Sequence, residues 1–185
     1  ILGAATIARS ELILANYSAT NVLKIMPIGD SITDDCSFNG AWRAPLQPLL
    51  ETNGYPFRFT GRYMSGAIGF NKVYHEGHCG AVIAAPGAFP VHGYSATDSY
   101  LLKIVADALA IATNRPDLVL LLIGANDIGR GRNPLLVATN HMPALLDLIL
   151  SNVPNANIIL AKITTLQNAG LGYATYAANV PIYNA

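Results

Sequence analysis

The chain has 185 residues, of which 52% are hydrophobic and 12% charged, and its formal net charge is zero. This composition can bury a sizeable core and argues against intrinsic disorder. Lysine and arginine form no dense patch, which argues against nucleic acid or an anionic membrane as a partner. No apolar run reaches the ~20 residues of a bilayer span. The length predicts one domain over residues 1–185.

Apolar runs alternate along the chain with segments of helical periodicity. Strands are predicted at residues 22–28, 57–61, 117–123 and 157–163, and helices at 42–53, 98–113 and 134–152. This alternation predicts a doubly wound parallel sheet covered by helices. Asp98 is predicted to cap the second helix, and Pro116 to end it. Residues 62–97 are predicted to be a long glycine-rich loop of the kind that carries function. Residues 1–20 could form a strand or a short helix, or lie out of place, and are left unassigned.

Polar residues follow two of the predicted strands. Asp30 and Ser31 come directly after the first strand, and Asn126 and Asp127 follow the third. A hydroxyl at the carboxyl end of a strand in an open α/β sheet is a candidate nucleophile, although a serine in a turn is more often a cap. The two aspartates are expected to accept hydrogen bonds from loop backbone N–H groups.

These segments together resemble the SGNH (GDSL-type) hydrolase family. Residues 29–31 match its Gly-Asp-Ser block, residues 124–127 match its Gly-x-Asn-Asp block, and residues 59–61 look like the block that supplies an oxyanion glycine. The resemblance implies a flavodoxin-like three-layer α/β/α sandwich around a central parallel sheet, here apparently lacking its C-terminal strand and helix. It also implies three catalytic residues: the nucleophile Ser31 and the oxyanion donors Gly61 and Asn126.

Three further stretches narrow the resemblance to carbohydrate esterase family 3, which consists mostly of acetylxylan esterases. They are residues 25–33, 40–43 and 75–80. The likeness implies a secreted serine esterase that needs no cofactor or metal and acts, as a monomer, on acetylated polysaccharide or oligosaccharide such as xylan. Residues expected to contact the substrate are Asp30, Trp42 and His78. Tyrosine rings that could bind sugar, or equally pack in the core, are Tyr63, Tyr74 and Tyr94.

The two cysteines and the histidines leave alternatives open. Cys36 and Cys79 are expected in the two loops that flank the site, where they form either a disulfide, as suits a secreted protein, or two buried thiols. Their separation lacks the paired spacing of a zinc site. His75 and His78 could serve as metal ligands or as a base, but hydrogen-bonded loop histidines are commoner.

The sequence contains no Asp-x-x-His block, which in the family supplies the general base and the acid that orients it. Two hypotheses therefore remain open. In the first, the chain is a serine esterase whose Asp-x-x-His block lies beyond residue 185. In the second, it is a catalytically inactive hydrolase-like domain that binds carbohydrate or a protein partner.

Overall fold

The computed structural model describes residues 17–36, 40–65, 73–87, 90, 93–164 and 173–185. Most of the unassigned N-terminal segment therefore lies outside the described residues. Within them the strands are β1 Leu23–Gly29, β2 Phe57–Phe59, β3 Tyr63–Ser65, β4 Val73–Gly77, β5 Leu118–Leu122 and β6 Asn157–Leu160. The helices are α1 Ser31–Asp34, α2 Arg43–Thr52, α3 Leu101–Leu109, α4 Ala125–Gly129, α5 Pro134–Leu136, α6 Met142–Asn152 and α7 Val180–Tyr183.

The strands form one mixed, mostly parallel sheet. Its order is β3-β4-β1-β5-β6, and β2 also pairs with β1. Along one side of β1, β2 lies against its first half and β4 against its end, since Leu23 is opposite Phe57 and Gly29 is opposite Gly77. Of the pairs, β3 with β4 is antiparallel. The four predicted strands are confirmed, whereas β3 and β4 lie in the region predicted to be loop.

Alternate residues of the central strands enter opposite hydrophobic layers, as the two-residue period of a strand requires. Met26 and Ile28 of β1 pack against α3 and α6, in the larger cluster. Leu23 and Ile25 pack on the other face, where α2 contributes Leu46 and Leu50. Helices therefore cover both faces of the sheet, which confirms the three-layer α/β/α sandwich.

The second predicted helix is shorter than expected. It begins at Leu101, and Tyr100 occupies the N-cap position without a side-chain capping bond. The prediction that Asp98 caps this helix is wrong, because its carboxylate instead accepts a hydrogen bond of 2.9 Å from Ser95 Oγ. The helix also ends at Leu109, well before Pro116.

The third predicted helix is confirmed over its whole length, with a π-helical turn at Val137–His141 between α5 and α6. Asn133 caps it, accepting hydrogen bonds from the backbone of the first turn. The segment Pro134–Asn152 has the length and apolar composition of a membrane span, a test that core helices also pass. Two of its side chains, Leu145 and Ile149, are completely buried in the larger core cluster.

Candidate active site

The end of β1 places Ser31 at the carboxyl edge of the sheet. Asp30 caps the short helix α1, and its Oδ1 accepts a hydrogen bond of 2.9 Å from the backbone N–H of Ile32. A Cβ at Gly29 would overlap the carbonyl oxygen of Leu122, so only glycine fits where β1 passes β5 at this point. Ser31 is half-buried as the first residue of α1. The backbone thus leaves β1 at Gly29 and enters α1 at Ser31.

The end of β5 brings Asn126 and Asp127 to the same edge, because β1 and β5 are adjacent parallel strands. Asn126 Nδ2 donates to the carbonyl oxygen of Ala81 at 2.9 Å, which fixes the side-chain amide. Asp127 accepts from the backbone N–H of Ile83 at 3.1 Å and from Arg132 at 3.1 Å. The expectation that Asp30 and Asp127 hold loop backbone N–H groups is confirmed.

Burial changes the acid strength of both aspartates. It raises the pKa of Asp30 to about 7, against the hydrogen bond from Ile32, and the neighbouring charge of Asp127 raises it further. Burial also raises the pKa of Asp127 to about 6, although Arg132 opposes the shift. Tyr183 lies close to both carboxylates. Its hydroxyl donates to the carbonyl oxygen of Ile123 at 2.8 Å, and burial together with the two carboxylates raises its pKa.

The structure places Gly61 lower in the sheet than Ser31. Phe59 is opposite Ile25, and Thr60 N donates to Ile25 O at 2.8 Å, so Gly61 follows the end of β2 well before β1 ends at Gly29. Gly61 has a φ of +144°, and an added Cβ would overlap the backbone of His75. The close approach of the His75 backbone therefore requires glycine at position 61.

A second glycine lies at the level of Ser31. Gly80 follows β4 in a turn that is closed by a hydrogen bond of 3.0 Å from Ala81 N to His78 O, and its φ is +81°. The third position of such a turn favours glycine. The turn is held to β1 because the backbone N–H of His78 donates to the carbonyl oxygen of Gly29 at 3.0 Å. Asn126 bonds the residue that follows Gly80. The sequence analysis missed Gly80, although it lies in a stretch that carried the family resemblance.

A buried arginine ties α1 to β3. Arg43 is completely buried and donates to the carbonyl oxygens of Thr33 at 2.7 Å and Asp34 at 2.9 Å. It also donates to the Ser65 hydroxyl at 2.6 Å and the Ser65 carbonyl at 3.2 Å. Burial lowers the pKa of Arg43 to about 10, so the guanidinium remains charged at neutral pH. These bonds fix the helix that begins with Ser31.

His75 is completely buried and belongs to this network as a neutral ring. Its Nδ1 accepts from the backbone N–H of Gly77 at 3.0 Å, so its Nε2 carries the proton and donates to Ser65 Oγ at 3.0 Å. Burial and then the charge of Arg43 lower the pKa of His75 to about 3. The two ring nitrogens therefore link His75 to Ser65 of β3 and to Gly77 at the end of β4.

His78 is also completely buried, and its Nε2 lies 3.1 Å from Glu76 Oε2. Arg62 pairs with the same carboxylate at 2.9 Å and also donates to the Tyr94 hydroxyl at 2.7 Å. Although burial alone would raise it, the hydrogen bonds from His78 and Arg62 hold the pKa of Glu76 below its usual range. The prediction that His75 and His78 are hydrogen-bonded structural histidines agrees with these contacts.

Burial argues against two of the predicted substrate contacts. Asp30 and His78 have no exposed surface, so neither can touch a bound substrate in this conformation. Trp42 is half-buried immediately before α2 and keeps some exposed surface. Of the three tyrosines considered for sugar binding, Tyr63 packs edge-on against His78, and Tyr94 is engaged by Arg62. Tyr74 is 43% exposed.

The predicted disulfide is present between Cys36 and Cys79, whose Cα atoms are 5.9 Å apart. It joins the loop after α1 to the turn after β4. Asp34 lies beside the two sulfur atoms and completes a group with the spacing of metal ligands. Because both sulfurs are bonded to each other, this group has no thiolate to offer a metal.

Comparisons with known proteins agree with this arrangement. Residues 28–185 match the model of the GDSL-like lipase/acylhydrolase family. A multidomain esterase of Ruminococcus flavefaciens is 30% identical over an alignment of 166 residues that covers 84% of this chain and 21% of that protein. The chain thus spans about a fifth of the length of this curated relative.

Two solved structures are similar in fold. A Clostridium thermocellum family 3 carbohydrate esterase is 27% identical, with a TM-score of 0.65 over 88% of this chain and 70% of that chain. A carbohydrate esterase family 3 protein from Talaromyces cellulolyticus is 20% identical, with a TM-score of 0.60 over 88% and 72%.

The fold and the strand-end serine and asparagine define an α/β hydrolytic enzyme scaffold of the esterase class. The chain belongs to the GDSL-like lipase/acylhydrolase family, and its fold is shared with carbohydrate esterases of family 3. The family resemblance inferred from the sequence motifs is therefore confirmed.

Proposed function

We propose that this chain is a secreted serine esterase that removes acetyl groups from plant cell-wall polysaccharide such as xylan. One observation carries the proposal: Ser31 and Asn126 follow β1 and β5, two adjacent parallel strands, at one edge of the sheet. The carbohydrate esterase names of the similar structures support the choice of substrate class. The disulfide between Cys36 and Cys79 supports an extracellular location, where disulfides persist.

In this proposal Ser31 Oγ attacks the carbonyl carbon of the acetyl ester. The negative charge that develops on the carbonyl oxygen is stabilised by Asn126 Nδ2 and by a backbone N–H. Collapse of the intermediate releases the sugar hydroxyl and leaves an acetyl group on Ser31, which water then hydrolyses. Gly80 is a better source of the backbone donor than the predicted Gly61. It lies in the turn that is bonded to the end of β1, and it adjoins the residue that Asn126 bonds.

The proton of Ser31 must pass to a base that His75 and His78 do not supply. Both rings are completely buried and hold other groups by hydrogen bonds. In the proposed reaction the base belongs to an Asp-x-x-His block of the kind that the family carries. The Asn126 amide and the turn at Gly80 then supply the electrostatic part of the reaction.

The second candidate is an inactive hydrolase-like domain that binds carbohydrate or a protein partner. The engagement of His75 and His78 in buried hydrogen bonds favours it. A test is labelling by a fluorophosphonate, which reacts with an activated serine hydroxyl. A mass increase at Ser31 would contradict the inactive domain, and no labelling of the folded, full-length protein would contradict the esterase.

The direct experiment measures hydrolysis of an activated acetyl ester by the protein and its Ser31→Ala variant. Ser151→Ala, an exposed serine on α6, is the matched control. The oxyanion donors and binding alone can leave a residual ~10³–10⁴-fold acceleration over water, so only turnover that depends on Ser31 supports the proposal. Release of acetate from acetylated xylan then tests the substrate. Turnover that Ser31→Ala leaves unchanged would exclude Ser31 as the nucleophile.

A further inference from the structure

A cavity of about 470 Å³ opens along the outer edge of β2, away from Ser31. Its floor is the chain from Phe57 to Gly61, and Gln47 of α2 and Asn114 before β5 form parts of its walls. Phe57 is level with Leu23, so this end of the cavity lies roughly 20 Å from the end of β1 at Gly29, at ~3.3 Å per residue. The volume is typical of small-molecule binding sites.

The backbone of β2 turns polar groups towards this cavity that no described strand pairs. Leu23 N donates to Pro56 O, and Thr60 N donates to Ile25 O, each at 2.8 Å. Because successive residues of a strand alternate in direction, the N–H and C=O groups of Phe57 and Phe59 point to the opposite edge. No strand among the described residues pairs with that edge. Such groups are normally met by water or by a ligand.

The side chains around the cavity favour a neutral ligand rich in hydroxyl groups. Arg58 and Glu51 place one charge of each sign in the lining, which gives no net attraction for an anion. The Gln47 amide is 7% exposed and is oriented by a bond of 2.8 Å to Glu51. The exposed ring of Tyr74 offers an apolar face beside these polar groups. Sugar hydroxyls both donate and accept, and sugar C–H faces pack on aromatic rings.

A peptide strand fits this edge less well. β2 is three residues long, so only Phe57 and Phe59 present backbone groups outward. Short edge strands with a charged residue such as Arg58 are a common protection against pairing with another strand. Residues of α2 and of the segment before β5 line the same cavity as β2. The cavity therefore suits a compact ligand better than an added strand.

We propose that the β2 cavity is a saccharide-binding site separate from the ester site, and that it binds a neutral sugar chain. The choice of a plant polysaccharide as the source rests on the proposed function. The site holds the polysaccharide against the protein, while the reaction takes place at the other end of β1. Tyr74 is the aromatic platform, and the β2 edge together with Gln47 supplies hydrogen bonds.

The test is calorimetric titration of the protein with an unacetylated xylo-oligosaccharide. Tyr74→Ala is expected to weaken binding about tenfold, the effect of losing one aromatic platform. Tyr55→Ala is the matched control, because Tyr55 is 41% exposed, much like Tyr74, and lies outside the cavity lining. Asn114→Ala is a second cavity variant, and thermal unfolding verifies that each variant folds. No saturable binding, or equal weakening by Tyr55→Ala, would overturn the proposal.

Failure of this inference can be told apart from failure of the proposed function. Ser31→Ala is expected to abolish turnover of a small acetyl ester and to leave oligosaccharide binding unchanged. Tyr74→Ala is expected to weaken oligosaccharide binding and to leave turnover of the small acetyl ester unchanged. Ser31-dependent turnover without saccharide binding would overturn the β2 cavity alone. Binding that depends on Tyr74 in a chain without esterase activity would support the cavity and overturn the esterase.

Discussion

Replacing Asp30 by asparagine is expected to remove a pH-dependent destabilisation of the fold. Asp30 is completely buried, and its Oδ2 has no hydrogen-bond partner among the described residues. Burial first, and then Asp127, raise its pKa to about 7. The folded protein therefore keeps a proton on Asp30 that the unfolded chain releases near pH 4. Stability from this group is greatest below pH 4 and is lost as the pH rises to about 7.

The size of the effect follows from the shift. Between pH 5 and pH 7 the contribution of Asp30 to the free energy of unfolding falls steadily. Over these two pH units the loss is roughly 3 kcal/mol at 1.36 kcal/mol per unit. The asparagine side chain of the Asp30→Asn variant stays neutral, and its amide oxygen can still accept from Ile32 N–H. The variant is therefore expected to gain about 3 kcal/mol relative to the native protein between pH 5 and pH 8.

The assay is urea unfolding of both proteins at pH 5, 6, 7 and 8. His75 acts with the opposite sign, because its lowered pKa gives stability that is lost as the pH falls from about 6.5 to about 3. Comparing the variant with the native protein removes this shared contribution. Asp147→Asn, which replaces an exposed aspartate on α6, is the matched control. A difference between Asp30→Asn and native that stays constant within about 1 kcal/mol across the range would refute the reasoning.

Three further changes have expected outcomes. Asn126→Ala should lower kcat on an activated acetyl ester by ~10²–10³-fold, as loss of one oxyanion donor does, and an unchanged kcat would exclude that role. Changing Cys36 and Cys79 together to serine opens a link of sequence separation 43 and should lower the free energy of unfolding by about 4 kcal/mol, measured in urea. Arg43→Met leaves buried carbonyls unpaired and should cost about 3–5 kcal/mol, whereas the exposed Arg58→Met should cost under about 0.5 kcal/mol. Equal losses for the two arginine variants would contradict the role given to the buried network.

The parts of the fold that the sequence predicts are those with a strong local pattern. β1 and β5 are apolar because both faces of the sheet are covered, and such runs are readily recognised as strands. β4 was not predicted as a strand, because it is not a run of apolar residues. It carries His75 and Glu76 at buried positions, and their polar groups are paired with Ser65 and Arg62, which lie outside β4. The local pattern of apolar and polar residues does not reveal such partners.

The site was predicted in part for a similar reason. Ser31 and Asn126 directly follow strands that the sequence reveals, so the topology brings them to one edge. The backbone donor is harder to find, because many glycines lie between residues 54 and 93 and spacing alone does not rank them. Gly80 becomes the better candidate only when the register of β4 with the end of β1 is known. Gly61 has its own structural requirement against His75.

The buried charges of Arg43 and Glu76 hold the elements that carry the candidate site residues. Burying charged groups costs desolvation free energy, so the network around Arg43 and Glu76 has a role beyond stability. The network orients two parts of the backbone. The guanidinium of Arg43 holds the end of α1, and Glu76 holds the start of the turn that follows β4. Ser31 begins α1 and Gly80 lies in that turn. An oxyanion site works only when its donors are already in place, and directional hydrogen bonds from buried charges hold them more strictly than apolar packing does.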